Sequence, residues 1–156
     1  MKAAVVAAVL AALQKELAQL KVAAASAQDA ATNEENKPEN QYDTRALEAS
    51  YLADAQSQRV QGLERAVKAL RDAPPLGKFT SVTTGSLVEV SAEGQSRWFF
   101  LLPAAAGMVV EVAGKKISVL GHESPVGLAL LDKSAGDAVE VRGPGGLKEY
   151  EIVSLE

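Results

Sequence analysis

The sequence predicts an α+β protein in which an antiparallel two-helix hairpin precedes a small domain of strands with one short helix. Three observations predict it. From Ala3 to about Ala31 the chain is rich in alanine, leucine, lysine and glutamate, and contains neither Gly nor Pro, which is strong helix composition. A second helical stretch, about Glu39 to Arg71, ends abruptly at "DAPPLG", Asp72 to Gly77, where two prolines and a glycine make a stiff linker. Beyond that linker the apolar period changes from three-four to two, punctuated by glycine turns.

In the first helix Leu10, Leu13, Leu17 and Leu20 mark a narrow apolar seam that thins beyond Val22 to Ala24, Ala27 and Ala31. The opening "MKAAVVAAVLAAL" also resembles a secretory signal, but its run of about eleven apolar residues is too short to span a membrane. The seam continues in phase through Lys15 and Glu16, which a cleaved signal has no reason to do. The second helix carries a stripe of Tyr42, Ala49, Leu52, Val60, Leu63, Val67 and Leu70. Two such helices joined by a short polar break fold back on each other. Each would span roughly 45 Å, so residues 1–73 are expected to form a rod with an acidic apex near 33–43.

Residues 74–156 are expected to form the second domain. "SLVEVSAEGQSRWFFLLP" reads as two strands around Glu93-Gly94, and "GMVVEVAGKKISVLG" as another pair around Gly114. "SPVGLALLDKSAGD" starts a short helix, with Ser124 as N-cap and Pro125 as first helical residue. The final segment closes as a hairpin through Gly143 to Gly146; that glycine run lacks the Lys-Ser/Thr helix of a phosphate loop and reads as a turn.

Composition narrows function. Aromatic residues make up 4% of the 156, so any core is built from Val, Leu and Ile, and there is no cysteine. That excludes disulfides, thiolate metal sites and cysteine nucleophiles, and suits a reducing cytoplasm. A formal net charge of −4 argues against a general nucleic-acid coat, and no independent DNA binding is expected. Arg45, Arg59, Arg65, Lys68 and Arg71 read either as a solvated helix face or as contacts to a partner. The lone His122 lies in a loop beside Gly121 and Glu123, and no partners at useful spacing make it a metal ligand or make Ser124 a nucleophile.

"SPVGLALLDKSAGDAVEVRGPGGLKEYEIVSLE", Ser124 to Glu156, resembles the C-terminal domain of the Gre (GreA/GreB) transcript-cleavage factors of bacterial RNA polymerase. The matching features are the Ser-Pro-x-Gly start, the Ala-Leu-Leu helix, Gly136-Asp137, the Pro144-Gly145-Gly146 turn and the Tyr-x-Ile strand. The resemblance implies an N-terminal coiled-coil hairpin followed by an FKBP-like antiparallel sheet domain with one short helix. It also implies a cytoplasmic transcription elongation factor that binds RNA polymerase, places its coiled coil in the secondary channel and meets nascent RNA only indirectly, with no membrane association. Such a factor is not an enzyme alone; it stimulates the polymerase's own cleavage of backtracked RNA or modulates the polymerase without cleavage.

The family tip reads Asp-x-x-Glu-Asn followed by Tyr, and here Asn36-Lys37-Pro38-Glu39-Asn40 with Tyr42 corresponds. The resemblance therefore implies Glu39, with Glu35 beside it, as tip carboxylates that help hold a Mg2+ at the polymerase active site, the chain having no cofactor of its own. Two metals about 4 Å apart suffice for in-line phosphodiester cleavage, and Mg2+ prefers carboxylate oxygen. Asn36 stands where the family carries its aspartate. His122, Ser124 and Pro125 fall in the part of the family's C-terminal domain that docks on the polymerase. An FKBP-like fold also raises prolyl isomerisation, but Trp98, Phe99 and Phe100 are consecutive and must point to alternating faces of a strand. The other reading is a coiled-coil adaptor with an FKBP-like head and no role at polymerase.

Overall fold

A computed structural model describes residues 1–32, 39–42 and 44–156, without the side chains of residues 27, 28 and 30–32. Two long helices, α1 (Lys2–Thr32) and α2 (Arg45–Asp72), precede six strands and a short helix. The strands are β1 (Leu87–Ala92), β2 (Gln95–Leu101), β3 (Val109–Val112), β4 (Lys115–Leu120), β5 (Ala138–Gly143) and β6 (Gly146–Leu155), with α3 (Pro125–Leu130) between β4 and β5. The chain divides into two compact units, one of Ala12–Ala69 and one of Met1–Ala11 with Leu70–Glu156.

In the helical unit the seam follows three-four spacing, as the sequence predicts, but not every predicted residue lies on it. On α1 Leu13 is fully buried and Leu17, Leu20 and Ala24 are half-buried, whereas Val22 is exposed; the side chains of Ala27 and Ala31 lie outside the described residues. On α2 the buried positions are Ala53, Leu63, Ala66 and Val67, with Ala46, Ala49, Gln56 and Val60 half-buried between and before them. Leu52 and Tyr42 are 54% and 82% exposed. Leu52 sits one position off the stripe, and Tyr42 precedes the helix. Ion pairs join Glu16 to Arg59 at 2.9 Å and Lys21 to Glu64 at 2.8 Å, tying α1 to α2. The start of α1 and the end of α2 share one compact unit, as they must when two joined helices run in opposite directions.

Helix α2 begins at Arg45, six residues later than Glu39, where composition alone starts it. Thr44 explains the shift. The Glu48 amide donates to its carbonyl at 2.8 Å, the first helical bond, and its hydroxyl donates to the Glu48 carboxylate at 3.0 Å. The Asn40 side chain instead accepts from the Tyr42 amide at 2.9 Å in a local turn. Asp43 lies outside the described residues. By length and composition residues 2–26 would also pass as a membrane-crossing helix, yet Val5, Val9 and Leu13 are fully buried in protein and Glu16 and Lys21 are paired.

The other unit is built on a six-stranded sheet of order β3-β4-β2-β1-β6-β5. The antiparallel sheet expected from sequence carries one parallel pairing, β2 with β4, Trp98 opposite Ile117. Two hairpins use the two-residue turns Glu93-Gly94 and Ala113-Gly114, all four residues at positive φ, the signature of the turn whose twist matches the strands. One core packs Val88, Val90, Phe99, Leu101, Tyr150 and Ile152 of the sheet with Leu130 of α3. Phe99 meets Tyr150 edge to face at 6.3 Å.

Near its start α1 is held to this unit through polar contacts. The Lys2 amide donates to Glu156 Oε2 at 3.0 Å, a carboxylate at a helix N-terminus. The Lys2 ammonium donates to the Gly77 carbonyl at 2.7 Å and lies 3.9 Å from the Phe79 ring centroid. Burial pushes its pKa below the ordinary lysine value, with the charge of Glu156 opposing.

Candidate functional site

Two groups of residues are candidates for a functional role, one in each unit. The first is the segment between α1 and α2. Of its sequence-predicted site residues, Glu35 and Asn36 lie outside the described residues. Glu39, Asn40 and Tyr42 form a short exposed turn before α2, closed by the Asn40–Tyr42 hydrogen bond. Glu39 is paired with Arg45 at 3.4 Å, both side chains more than half exposed. A pair so exposed is worth little and exchanges readily with other partners. Among the described residues no cluster of three or more His, Asp or Glu could hold a metal ion by itself. The described part of this turn can therefore offer a metal one carboxylate, with the remaining ligands coming from elsewhere.

The second group surrounds the start of α3. Ser124 is the N-cap: its Oγ accepts from the Gly127 amide at 3.0 Å and donates to the Gly121 carbonyl at 2.8 Å. Gly127 is required here, because a Cβ would run into that same carbonyl. His122 Nε2 shares a hydrogen bond of 2.8 Å with Thr84 Oγ1, which orients the ring. His122, Glu123 and Ser124 line an open cavity of about 440 Å³ with Pro103, Ala106 and Gly121. The structure thus brings His122 and Ser124 together at one cavity, while Pro125 opens onto a second.

That second cavity, about 360 Å³, was not legible in the sequence. It is walled by Pro125 and Val126 of α3, Val141 and Tyr150 of the last hairpin, and the Gly143–Gly146 turn, with Arg142 and Lys148 among its lining residues. These residues come from two segments that only folding joins. The one sequence signal was the glycine-proline turn, which reads as a connection whether or not a cavity lies beneath it. The aromatic residues that an isomerase pocket would need do not converge: Phe99 joins the α3-side core, and Trp98 is covered by Lys115 at 4.2 Å.

The sequence profile for "Transcription elongation factor, GreA/GreB, C-term" matches residues 78–156, half of the chain. Among similar proteins, transcription elongation factor GreA of Ruegeria pomeroyi is 53% identical over 38 residues, 24% of each protein. GreA of Jannaschia sp. is 30% identical over 98 residues, 62% of this chain and 60% of that one. The chain thus spans between about a quarter and three-fifths of the length of these relatives. Among solved structures, the GreA factor homolog 1 (Gfh1) of Thermus thermophilus superposes over 94% of each chain at 20% identity, with a TM-score of 0.39. Because the profile accounts for the whole strand-rich region from the linker to the last residue, the chain belongs to the GreA/GreB family of transcription elongation factors.

Proposed function

We propose that this chain binds bacterial RNA polymerase through its C-terminal domain and inserts its coiled coil into the secondary channel, where the turn before α2 acts on the active site. Family membership over residues 78–156 is the observation that carries this reading, and the paired helices supply the stiff support such a role needs. His122, Ser124 and Pro125 are assigned to docking: they sit on a rigid, capped helix start beside two cavities, the kind of preorganised surface a partner can engage at low entropic cost. The chain acts in the cytoplasm, where polymerase is, and reaches nascent RNA only through it.

At the tip the leading action is modulation of the polymerase without cleavage, since Asn36 replaces the family's aspartate and Glu39 is paired with Arg45. Assisted cleavage is the second reading, favoured by the Glu39-Asn40 match and the exposure of that ion pair. In it Glu39 and Glu35 contribute carboxylate oxygen to a Mg2+ held chiefly by the polymerase. The test is a stalled, backtracked elongation complex incubated with Mg2+ and the purified chain. Unchanged RNA 3′ ends with altered elongation support modulation. Shortened ends that persist with wild type and vanish with Glu39→Ala establish cleavage instead, and no effect of either kind refutes the proposal.

A further inference from the structure

Beneath the Gly143–Gly146 turn, the cavity of about 360 Å³ brings Tyr150 of β6 against Pro125 and Val126 of α3 and Val141 of β5. Tyr150 is only 5% exposed, and among the described residues its hydroxyl has no hydrogen-bond partner. Among those residues Gln56 Oε1 is the one sealed side-chain polar atom without a partner. The Tyr150 hydroxyl is therefore reached by solvent, and the cavity is where this buried residue meets it. A buried phenol ordinarily finds a partner; this one keeps its proton free to donate. Lys148 lies two positions before Tyr150 on β6, and so on the same face, directly opposite Val141 and lining the same cavity. Its ammonium is paired with Glu93 at 3.7 Å, the Glu93 side chain being 69% exposed, and such a pair exchanges readily. Among the described residues no carboxylate lines the cavity. Glu140 and Glu149 sit opposite each other and alternate along their strands with Val141 and Tyr150, which turns them to the other side of the sheet.

Apolar walls, a free phenol and an exchangeable ammonium make a receptor for an apolar group with a carboxylate beside it. We propose that the cavity takes one large apolar side chain from a segment of a partner protein. The Asp or Glu next to that side chain accepts from the Tyr150 hydroxyl and replaces Glu93 on Lys148. A carboxylate has lone pairs for both bonds at once, and each is charge-assisted. An extended segment suits the site better than a small molecule. Pro125 and Leu128, three apart on α3 and both exposed, continue the apolar surface beyond the cavity. A nucleic acid suits it less well, because the Tyr150 ring is buried edge to face with Phe99 and offers no open face to a base. Pro125 is shared with the docking surface proposed above, yet the cavity takes such a segment whichever protein carries it.

The isotope-labelled full chain is titrated with acetyl-Gly-Leu-Asp-Gly-amide while its backbone amide resonances are followed. The same peptide with Asn for Asp, or Ala for Leu, serves as control, and polymerase is absent throughout. The Leu-Asp peptide should give saturable shifts centred on Val126, Gly145 and Tyr150, and each control should bind about tenfold more weakly. Tyr150→Phe keeps the ring that packs on Phe99, and circular dichroism checks that the fold is intact. It should weaken the Leu-Asp peptide about tenfold and the Leu-Asn peptide far less. Glu93→Asn suits a turn residue at positive φ and should tighten binding several-fold by removing the internal competitor. This variant decides the matter if Tyr150→Phe fails to fold. Equal binding of the Asn peptide, no saturation by the Leu-Asp peptide, unchanged or weaker binding by Glu93→Asn, or preferential binding of a single-stranded oligoribonucleotide would each overturn the proposal.

Discussion

Ser124 uses one hydroxyl twice, accepting from the Gly127 amide and donating to the Gly121 carbonyl, so the loop holding His122 and the start of α3 depend on the same side chain. Ser124→Ala should cost about 1 kcal/mol of stability, the usual value of an N-cap. Gly127→Ala should cost more, because the new Cβ has backbone rather than a flexible side chain in its way. Denaturant unfolding of both variants checks the order. Lys2 makes a separate, pH-dependent contribution. Its folded pKa lies below the ordinary 10.5, so the unfolded chain holds this proton more tightly, and the group costs stability at neutral pH. That cost fades as pH rises from the folded value towards 10.5. Stability of wild type relative to Lys2→Met should therefore climb across that alkaline window; a flat difference would show that burial does not govern this lysine.

At the scale of elements, the two helices, the three hairpin turns and the short capped helix were legible because their signals are local. A three-four seam, Glu-Gly and Ala-Gly turns at positive φ, and Ser-Pro before an apolar run each act within a few residues. What was not legible required distant partners or a finer choice of cap. The parallel β2–β4 pairing joins strands separated by β3, and no local pattern announces it. The start of α2 is ambiguous in sequence because Glu39 and Asn40 have acceptable helix-start chemistry, while the Thr44–Glu48 pair that begins the helix is an equally short signal. Leu52 is the more apolar residue, but helical phase from Leu63 and Val60 reaches Ala53, which is the buried one. Phase therefore predicts that Leu13→Ala, at a fully buried position, costs about 2–5 kcal/mol. Leu52→Ala, at a half-exposed one, should stay within about 0.5 kcal/mol. Thermal unfolding of the two variants tests this; comparable losses would put Leu52 back on the seam.

For the whole molecule, the three residues proposed for docking can be named from the sequence, but not the surface around them. His122, Ser124 and Pro125 are adjacent in sequence, but the cavities on either side of them draw on Pro103, Ala106, Val141 and Tyr150. The tip was legible through resemblance alone, since a carboxylate in a turn has the same composition whether or not it meets a metal. If, as proposed, this chain occupies the polymerase position that GreA uses, the two compete for it. The most direct measurement is competition: GreA-stimulated cleavage in a backtracked elongation complex, titrated with this chain carrying Glu39→Ala so that it adds no cleavage of its own. The expected result is a saturating loss of GreA-stimulated cleavage, relieved by excess GreA. Cleavage unaffected by a large excess of the chain would contradict it.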